Sequence, residues 1–248
     1  MAMAHQALVR EITGADTVVL CVHGIVGSPD HFTELIDRLP PTWSVVNLLL
    51  DGHGGEVSDF SNTSMTKWEQ QVQRTLDDLS DRYQSIWLVG HSMGTLLLIE
   101  AALARPEKVQ GLFLLAVPLW PALRPVMVRN SLRVAFDCVP ETDAQAMATK
   151  AACSVRTTKR LWQYLGWLPR FFELFDKMKR VRARLPEIAV PCVAVQSAKD
   201  ELVAHRATAL LQKQENIHTI LLEHSAHFWY AKSDRQIVLS AFDEHITK

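Results

Sequence analysis

Residues 90–94 read Gly-His-Ser-Met-Gly and carry the strongest chemical signal in this 248-residue sequence. When a G-x-S-x-G motif joins a strand to a helix, the serine sits on a strained turn that exposes its hydroxyl group, and only glycines fit at both flanking positions. Here an apolar run at residues 85–89 precedes the motif, and a helical pattern follows it as far as residue 104. This context predicts Ser92 as a nucleophile rather than as a structural serine in a tight turn.

A serine hydroxyl needs a neighbouring base, and the base needs an orienting acid. His227 is the preferred base because it lies in a short polar loop after the last strand candidate, with His224 as the alternative. Asp200 follows another strand candidate and is the preferred acid, which gives the chain order serine, aspartate, histidine. Glu201 stays open as the acid, although a solvated loop carboxylate is its simpler interpretation.

Acyl transfer also requires two backbone donors for the oxyanion. The N–H group of Met93, at the start of the helix that follows the nucleophile, is one candidate. The glycine-rich loop at residues 23–27 brings the backbone close after the first long strand, and we predict that Ile25 supplies the second N–H group. We predict neither a metal ion nor an organic cofactor, because these groups suffice for ester hydrolysis.

The elements that must position these residues alternate along the chain. Runs rich in Val, Leu and Ile predict strands at residues 17–22, 44–50, 85–89, 109–117, 192–197 and 217–222, with a shorter one near residues 6–10. Helical patterns follow most of these runs. The order predicts an α/β fold with a doubly wound, mostly parallel sheet. The predicted serine, aspartate and histidine all follow strand ends.

Residues 118–186 break this alternation with amphipathic helical patterns, prolines and no convincing buried strand. The sequence therefore predicts a core domain at residues 1–117 and 187–248, and a helical insertion at residues 118–186 over the strand ends. The insertion is rich in aromatic residues, which suit either the packed underside of a cap or an apolar acyl pocket over the serine. They are Trp120, Trp162, Trp167, Phe171, Phe172 and Phe175.

The insertion is also basic. Residues 120–185 hold thirteen Lys and Arg against five Asp and Glu, a net charge of +8; because the whole chain carries −1, the rest carries −9. Solvated helix faces explain this charge most simply. An anionic partner, such as an acyl carrier protein or a CoA-type thioester, and docking to an anionic membrane surface are the alternatives.

Composition argues against several other classes of protein. A net charge of −1 does not fit a general nucleic-acid binder. The apolar runs fall far short of the roughly 20 residues of a membrane-spanning helix, and the first residues lack the pattern of a secretory signal. The four cysteines are scattered without a C-x-x-C pair. We expect a cytoplasmic protein with free thiols, no stable membrane insertion and a small-molecule acyl ester substrate.

Several motifs together resemble the α/β-hydrolase superfamily, in particular its small carboxylesterase and monoacylglycerol-lipase-like branch. They are His23-Gly24, Asp51-Gly52-His53-Gly54, Gly90-His91-Ser92-Met93-Gly94, Asp200 and His227. The resemblance runs from about residue 17 to the end of the chain. It implies an eight-stranded sheet with a lid after the sixth strand, at residues 118–186, and structural roles for His23 and His53. Thr95 departs from the pattern, because a third glycine often follows the motif.

These observations predict a serine hydrolase that cleaves carboxylic acyl esters through an acyl-enzyme intermediate. The same three residues also support cleavage of a thioester or of an acyl-carrier-protein ester, and the hydrolysis or lysis of a C–C bond, so these reactions are alternatives. A non-catalytic protein that keeps the fold in order to bind ligands is the alternative from another class.

Overall fold

The computed structural model describes residues 5–122 and 124–246, and within those residues it contains one sheet of seven strands. The strands are β1 (Leu8–Arg10), β2 (Thr17–Val22), β3 (Ser44–Leu48), β4 (Ser85–His91), β5 (Val109–Leu115), β6 (Cys192–Ser197) and β7 (Ile217–Leu222). Each of them corresponds to a strand predicted from the sequence, with ends that agree within about two residues.

The strands lie in the order β1-β3-β2-β4-β5-β6-β7. All neighbouring pairs are parallel except β1 with β3. The predicted α/β fold with a mostly parallel sheet is therefore confirmed, but the implied count of eight strands is wrong. A strand needs a run of apolar or β-branched residues, and the described chain offers seven such runs; the eighth strand was implied only by the family resemblance.

Helices connect the strands and cover the sheet. In the described residues the α-helices are α1 (Thr33–Ile36), α2 (Val57–Ser61), α3 (Met65–Arg82), α4 (Met93–Ala104), α5 (Pro125–Ala135), α6 (Ala144–Ala152), α7 (Leu168–Arg184), α8 (Arg206–Leu211) and α9 (Lys232–Ile246). Shorter 3₁₀ helices span Pro29–Phe32, Leu161–Trp167 and Leu185–Glu187.

Strand β2 shows why both faces of the sheet are buried. Side chains alternate between the faces of a strand, and every residue of β2 after its first is apolar and buried. Val18, Leu20 and Val22 pack in a core cluster that includes residues of α3, α4 and α7. Val19 and Cys21 pack in a second cluster with residues of α1 and α9. The sheet therefore lies between two helical layers, as its continuous apolar runs predict.

Helix α4 follows the predicted nucleophile and is enclosed by the protein. Nine of its twelve residues are buried, and the helix is apolar on all sides. It packs against α3, α7 and the neighbouring strands. Its N-terminus, which carries the turn at Ser92, is therefore held by contacts on several sides.

The chain between β5 and β6, residues 118–186, contains α5, α6 and α7 and is called the helical segment below. Among the described residues its β contacts are isolated bridges, Pro121 with Val203 and Arg156 with Glu56. The resemblance implied an insertion after the sixth of eight strands. In the structure the segment follows the fifth of seven strands. Its boundaries as a separate region and its action as a lid stay predictions.

Two further expectations concern the whole chain. Within the described ranges no helix combines the length and the apolar character that crossing a membrane requires. The cysteines are free, with Cys21 and Cys192 buried in the sheet, Cys153 partly buried and Cys138 exposed.

Candidate active site

Ser92 lies on a sharp turn between β4, which ends at His91, and α4, which begins at Met93. Its backbone has φ 51° and ψ −125°, a conformation that non-glycine residues rarely adopt and that costs free energy. Ser92 N donates to Leu115 O at 2.9 Å, and Ser92 O accepts from Thr95 N at 2.9 Å. The turn is therefore held by the neighbouring strand and by the first turn of the helix.

The glycines of the motif are required by close packing. A Cβ atom on Gly94 would overlap the carbonyl oxygen of Val22, and one on Gly90 would come within 3.0 Å of the Thr95 backbone. Thr95, which replaces the frequent third glycine, is fully buried, and its Oγ1 donates to Ser92 O at 2.7 Å. The threonine therefore adds a hydrogen bond to the turn.

His227 and Asp200 meet at the C-terminal edge of the sheet, in the loops after β7 and β6. His227 Nδ1 lies 2.8 Å from Asp200 Oδ2, and both side chains are almost fully buried. Since a carboxylate only accepts, Nδ1 carries the proton and Nε2 of a neutral ring is left as the basic nitrogen. Asp200 Oδ1 accepts the N–H groups of Leu202 and Val203 at 2.8 and 2.9 Å, which fixes the carboxylate.

Ser92 and His227 line one cavity of about 530 Å³. Most of its other lining residues are apolar and belong to the helical segment, among them Trp167, Phe171 and Phe175. Three residues far apart in the sequence therefore converge. Ser92 and His227 line the cavity, and Asp200 lies behind the His227 ring. This arrangement can deprotonate a serine beside an apolar space.

The electrostatic surroundings of His227 favour its protonated form. Burial alone lowers the pKa of the imidazole, but the negative charge and hydrogen bond of Asp200, together with the charge of Glu201, outweigh it. The pKa of His227 is therefore raised above its ordinary value. An imidazolium formed during catalysis would be stabilised here.

Glu201 differs from its simplest interpretation in the sequence. Its side chain is 3% exposed rather than solvated, and it lines the cavity beside Ser92. Its Oε2 accepts the backbone N–H of His227 at 3.1 Å, whereas the ring of His227 bonds to Asp200. The geometry therefore gives Asp200 the position expected of the orienting acid.

The alternative base, His224, is exposed and lies outside the cavity wall. Its backbone N–H donates to Asp234 Oδ2 at 2.8 Å, and Ser225 Oγ donates to the same oxygen at 2.7 Å. Asp234 is buried at the start of α9. These bonds anchor the loop that carries His227.

The two predicted oxyanion donors lie next to the nucleophile. Met93 is the first residue of α4, and the first N–H groups of a helix have no partner within it. Ile25 lines the cavity in a turn closed by the bond from Gly27 N to Gly24 O at 3.0 Å. A Cβ on Gly24 would lie 2.7 Å from the Cβ of Ser92, so this loop touches the nucleophile's turn. The role of the Met93 and Ile25 N–H groups as oxyanion donors stays a prediction.

His23 and His53 use their rings in main-chain contacts. His23 Nδ1 donates to Gly24 O at 2.8 Å, and its Nε2 accepts Leu50 N at 3.0 Å. His53 Nδ1 lies 3.2 Å from the carbonyl oxygens of Leu50 and Asp51. Burial lowers the pKa of His53 to about 4 and that of His23 well below its ordinary value. Both rings are neutral supports of the loops beside the site.

Sequence reasoning missed two more histidines. His91 Nε2 donates to the His227 carbonyl oxygen at 3.1 Å, and the ring centres of His91 and His31 lie 3.9 Å apart. Desolvation lowers the pKa of His31 to about 4 and that of His91 well below its ordinary value. His91 is the variable residue before Ser92 in the motif, and that position was the available signal.

The aromatic residues of the helical segment have different surroundings. Trp167, Phe171 and Phe175 line the cavity, whereas Trp162 and Phe172 are about two thirds exposed. Large apolar side chains that are at least a third exposed are concentrated in this segment. They are Val128, Leu132, Phe136, Met147, Leu161, Trp162, Leu165, Leu168, Phe172 and Phe175. Five of these side chains also line the cavity, so the apolar surface of the segment continues from the cavity wall towards solvent; they are Val128, Leu132, Leu161, Leu168 and Phe175.

Part of the positive charge of the segment meets acids of the core. Lys177 is fully buried and pairs with Glu69, at 2.7 Å, and with Glu100. Arg180 also pairs with Glu69, at 2.8 Å, and Arg156 with Glu56 at 3.1 Å. The pairs with Glu69 and Glu100 attach the segment to α3 and α4, and the pair with Glu56 attaches it to the start of α2.

Comparisons with known proteins agree with this fold. A model described as the alpha/beta hydrolase family matches residues 19–240. The mitochondrial palmitoyl-protein thioesterase of Rattus norvegicus is 24% identical over 200 residues, 79% of this chain and 63% of that protein, so the chain spans less than two thirds of this relative. The pimeloyl-[acyl-carrier protein] methyl ester esterase of Yersinia enterocolitica is 26% identical over 230 residues, 86% of each.

Among solved structures, the monoacylglycerol lipase of Paleococcus ferrophilus matches with a TM-score of 0.69 and covers 98% of both chains. At 17% identity this likeness shows the fold alone.

Proposed function

The chain belongs to the alpha/beta hydrolase family, and we propose that within it this protein is a serine hydrolase that cleaves carboxylic acyl esters. One observation carries the proposal: Ser92 and His227 line a single cavity while Asp200 bonds to the far nitrogen of the His227 ring. The pimeloyl-[acyl-carrier protein] methyl ester esterase among the relatives favours an ester as the bond that is cleaved.

The reaction follows from the roles of these groups. His227 Nε2 takes the proton of Ser92 as Oγ attacks the ester carbonyl, and Asp200 stabilises the imidazolium. The N–H groups of Met93 and Ile25 hold the oxyanion. The imidazolium then returns its proton to the leaving alcohol. Water deprotonated by His227 releases the acid from the acyl enzyme and restores the serine.

The cavity argues for an apolar acyl group. Its volume of about 530 Å³ falls in the range of small-molecule sites, and its walls are mostly aliphatic and aromatic. Because the helical segment supplies most of those walls, we propose that it covers Ser92 as a lid and selects the acyl chain. A monoacylglycerol or another single-chain ester fits this arrangement.

The test is hydrolysis of a series of p-nitrophenyl esters and labelling by a fluorophosphonate probe. Ser92→Ala should abolish both, with the fold intact by circular dichroism. Ser233→Ala, which alters an exposed serine six residues beyond His227, is the control and should behave as the wild type. Retained turnover in Ser92→Ala would refute the assignment, and a wild-type protein that no probe labels would favour a non-catalytic binding protein.

A second candidate function is cleavage of a thioester or ester on an anionic carrier. Arg182 and Arg206 lie 4.4 and 4.6 Å from the ring centre of Trp120, and Arg124 donates to His205 at 2.9 Å. The next residues along the chain from Trp120, Pro121 and Ala122, line the cavity. The palmitoyl-protein thioesterase and the acyl-carrier-protein ester esterase among the relatives favour such a substrate.

Salt dependence separates the two candidates. For a carrier-bound substrate, kcat/KM should fall with rising salt, and Arg206→Glu should lower it further, because both changes weaken attraction to an anionic carrier. For a neutral ester, neither change should matter.

A further inference from the structure

Two acids that are adjacent in the chain hold the same histidine in different ways. Asp200 bonds to the ring of His227, and Glu201 Oε2 accepts its backbone N–H at 3.1 Å. Glu201 is 3% exposed and lines the cavity with Ser92. We propose that Glu201 is a positioning residue that fixes the main chain of His227 and adds a second negative charge beside its imidazolium. This inference rests on the proposed function.

The cost of burying Glu201 supports a role for its charge. A buried carboxylate is unfavourable unless a cation or several hydrogen bonds compensate it. Within residues 5–122 and 124–246 Glu201 makes no ion pair, and the N–H of His227 is its hydrogen-bond donor. A cation arises beside it when His227 takes the proton of Ser92. The carboxylate is therefore best compensated during the reaction itself.

The main chain of His227 is held on both sides. Glu201 accepts its N–H group, and His91 Nε2 donates to its carbonyl oxygen at 3.1 Å. His91 directly precedes Ser92, so the second bond ties the base to the turn that carries the nucleophile. Removal of the Glu201 bond would leave the backbone of His227 held through its carbonyl oxygen alone among the described contacts, although the loop would stay anchored at Asp234. Displacement of a catalytic group by about 1 Å can cost roughly 100-fold in rate.

Four titratable groups face His227: Asp200, Glu201, His91 and His31. Desolvation keeps both histidines neutral, so the two acids provide the charge. Burial lowers the pKa of His227, and the two carboxylates raise it above its ordinary value. The base must be neutral to act, so kcat/KM should rise with pH through this raised pKa. Loss of the Glu201 charge should move the midpoint to lower pH.

Two variants separate charge from position. Glu201→Gln keeps an acceptor for the His227 N–H and removes the charge, so the midpoint should move to lower pH while the plateau kcat falls only a few-fold. Glu201→Ala removes both, so the midpoint should move equally and the plateau kcat should fall about 10- to 100-fold with little change in KM. Glu223→Gln removes an exposed charge from the loop that carries His227. It is the control and should leave the pH profile unchanged.

A readout without turnover keeps this test separate from the proposed function. The His227 imidazole can be titrated by NMR in the Ser92→Ala protein, with the signal assigned by its loss in His227→Gln. A lower pKa in Ser92→Ala/Glu201→Gln supports the inference even if no ester is hydrolysed. An unchanged NMR pKa, or a folded Glu201→Ala with wild-type kcat, would overturn it. So would a Glu201→Gln variant as inactive as Asp200→Asn, since Glu201 would then be the orienting acid.

Discussion

The sheet core and the helical segment bury their residues to different degrees. All six residues of β6 and nine of the twelve residues of α4 are buried. In the segment, α6 buries only Ala146, and the 3₁₀ helix Leu161–Trp167 buries none of its residues. Polar groups follow this difference in part: His227 and Asp200 bond to each other in the interior and Lys150 and Asp137 pair at the surface, but Lys177 of the segment is fully buried in its ion pairs with α3 and α4.

This contrast indicates a division of tasks. Chemistry requires groups held within fractions of an ångström, and close-packed elements with satisfied hydrogen bonds provide this precision. Selection of an acyl chain needs mainly apolar surface of suitable volume, which loosely buried helices supply. Substitutions in the core should therefore affect turnover or folding strongly, and substitutions in the segment should mainly affect which substrate is preferred.

The largest contrast in kcat is expected when an aspartate is replaced by asparagine once in the sheet core and once in the helical segment. Asp200→Asn keeps the side-chain shape but favours the wrong tautomer of His227, and by analogy with serine proteases it should cost up to about 10⁴-fold in kcat. Asp143→Asn in the segment alters an acid that caps α6 and pairs with Arg133. Because asparagine caps a helix about equally well, kcat should stay near the wild-type value. Similar kcat values for the two variants would break the comparison.

The next contrast concerns stability. Phe113 is fully buried in β5 and packs edge-on against Phe242, with ring centres 5.1 Å apart. Phe113→Ala should lower the free energy of unfolding by about 3–5 kcal/mol. Phe172→Ala, at a side chain that is 64% exposed, should change it by less than about 0.5 kcal/mol. Urea unfolding monitored by circular dichroism measures both. Equal losses would mean that Phe172 is packed in solution.

The same contrast decided what the sequence could predict. The strands were predictable because parallel strands buried on both faces are continuous apolar runs. Ser92, Asp200 and His227 could be predicted from the sequence because each follows such a run, and the C-terminal ends of parallel strands meet at one edge of the sheet. Within the segment, helical patterns predicted helices, but which aromatic residue faces the cavity depends on packing between helices. Trp162 and Trp167 lie five residues apart, yet Trp167 lines the cavity whereas Trp162 is 66% exposed and does not.

Glu201 and His91 mark the limit inside the core. An acid in a loop looks solvated in a sequence, and only the folded loop shows that Glu201 meets the backbone of His227, 26 residues away. The contact of His91 with the same peptide spans 136 residues. Such bonds depend on how two loops meet at a sheet edge, and neither composition nor periodicity carries that information.

The smallest effects are expected at the cavity wall of the segment. Phe175 lines the cavity and is 36% exposed, so its ring contributes volume to the wall more than stability to the fold. Phe175→Ala should enlarge the acyl pocket and shift the preferred p-nitrophenyl ester to a longer chain. One methylene group in an apolar pocket changes kcat/KM by roughly 10-fold or more, so the ratio of long-chain to short-chain values should change by at least about 10-fold.

Phe172→Ala is the matched control for this change, because Phe172 lies on the same helix, with its ring centre 6.5 Å from that of Phe175, but outside the cavity wall. Its chain-length profile should equal that of the wild type. If both variants shift the profile equally, the exposed apolar surface of the segment takes part in substrate selection, and the cavity alone does not define the acyl site. If neither does, selection lies with the core residues around Ser92, and the proposed division between the two regions fails.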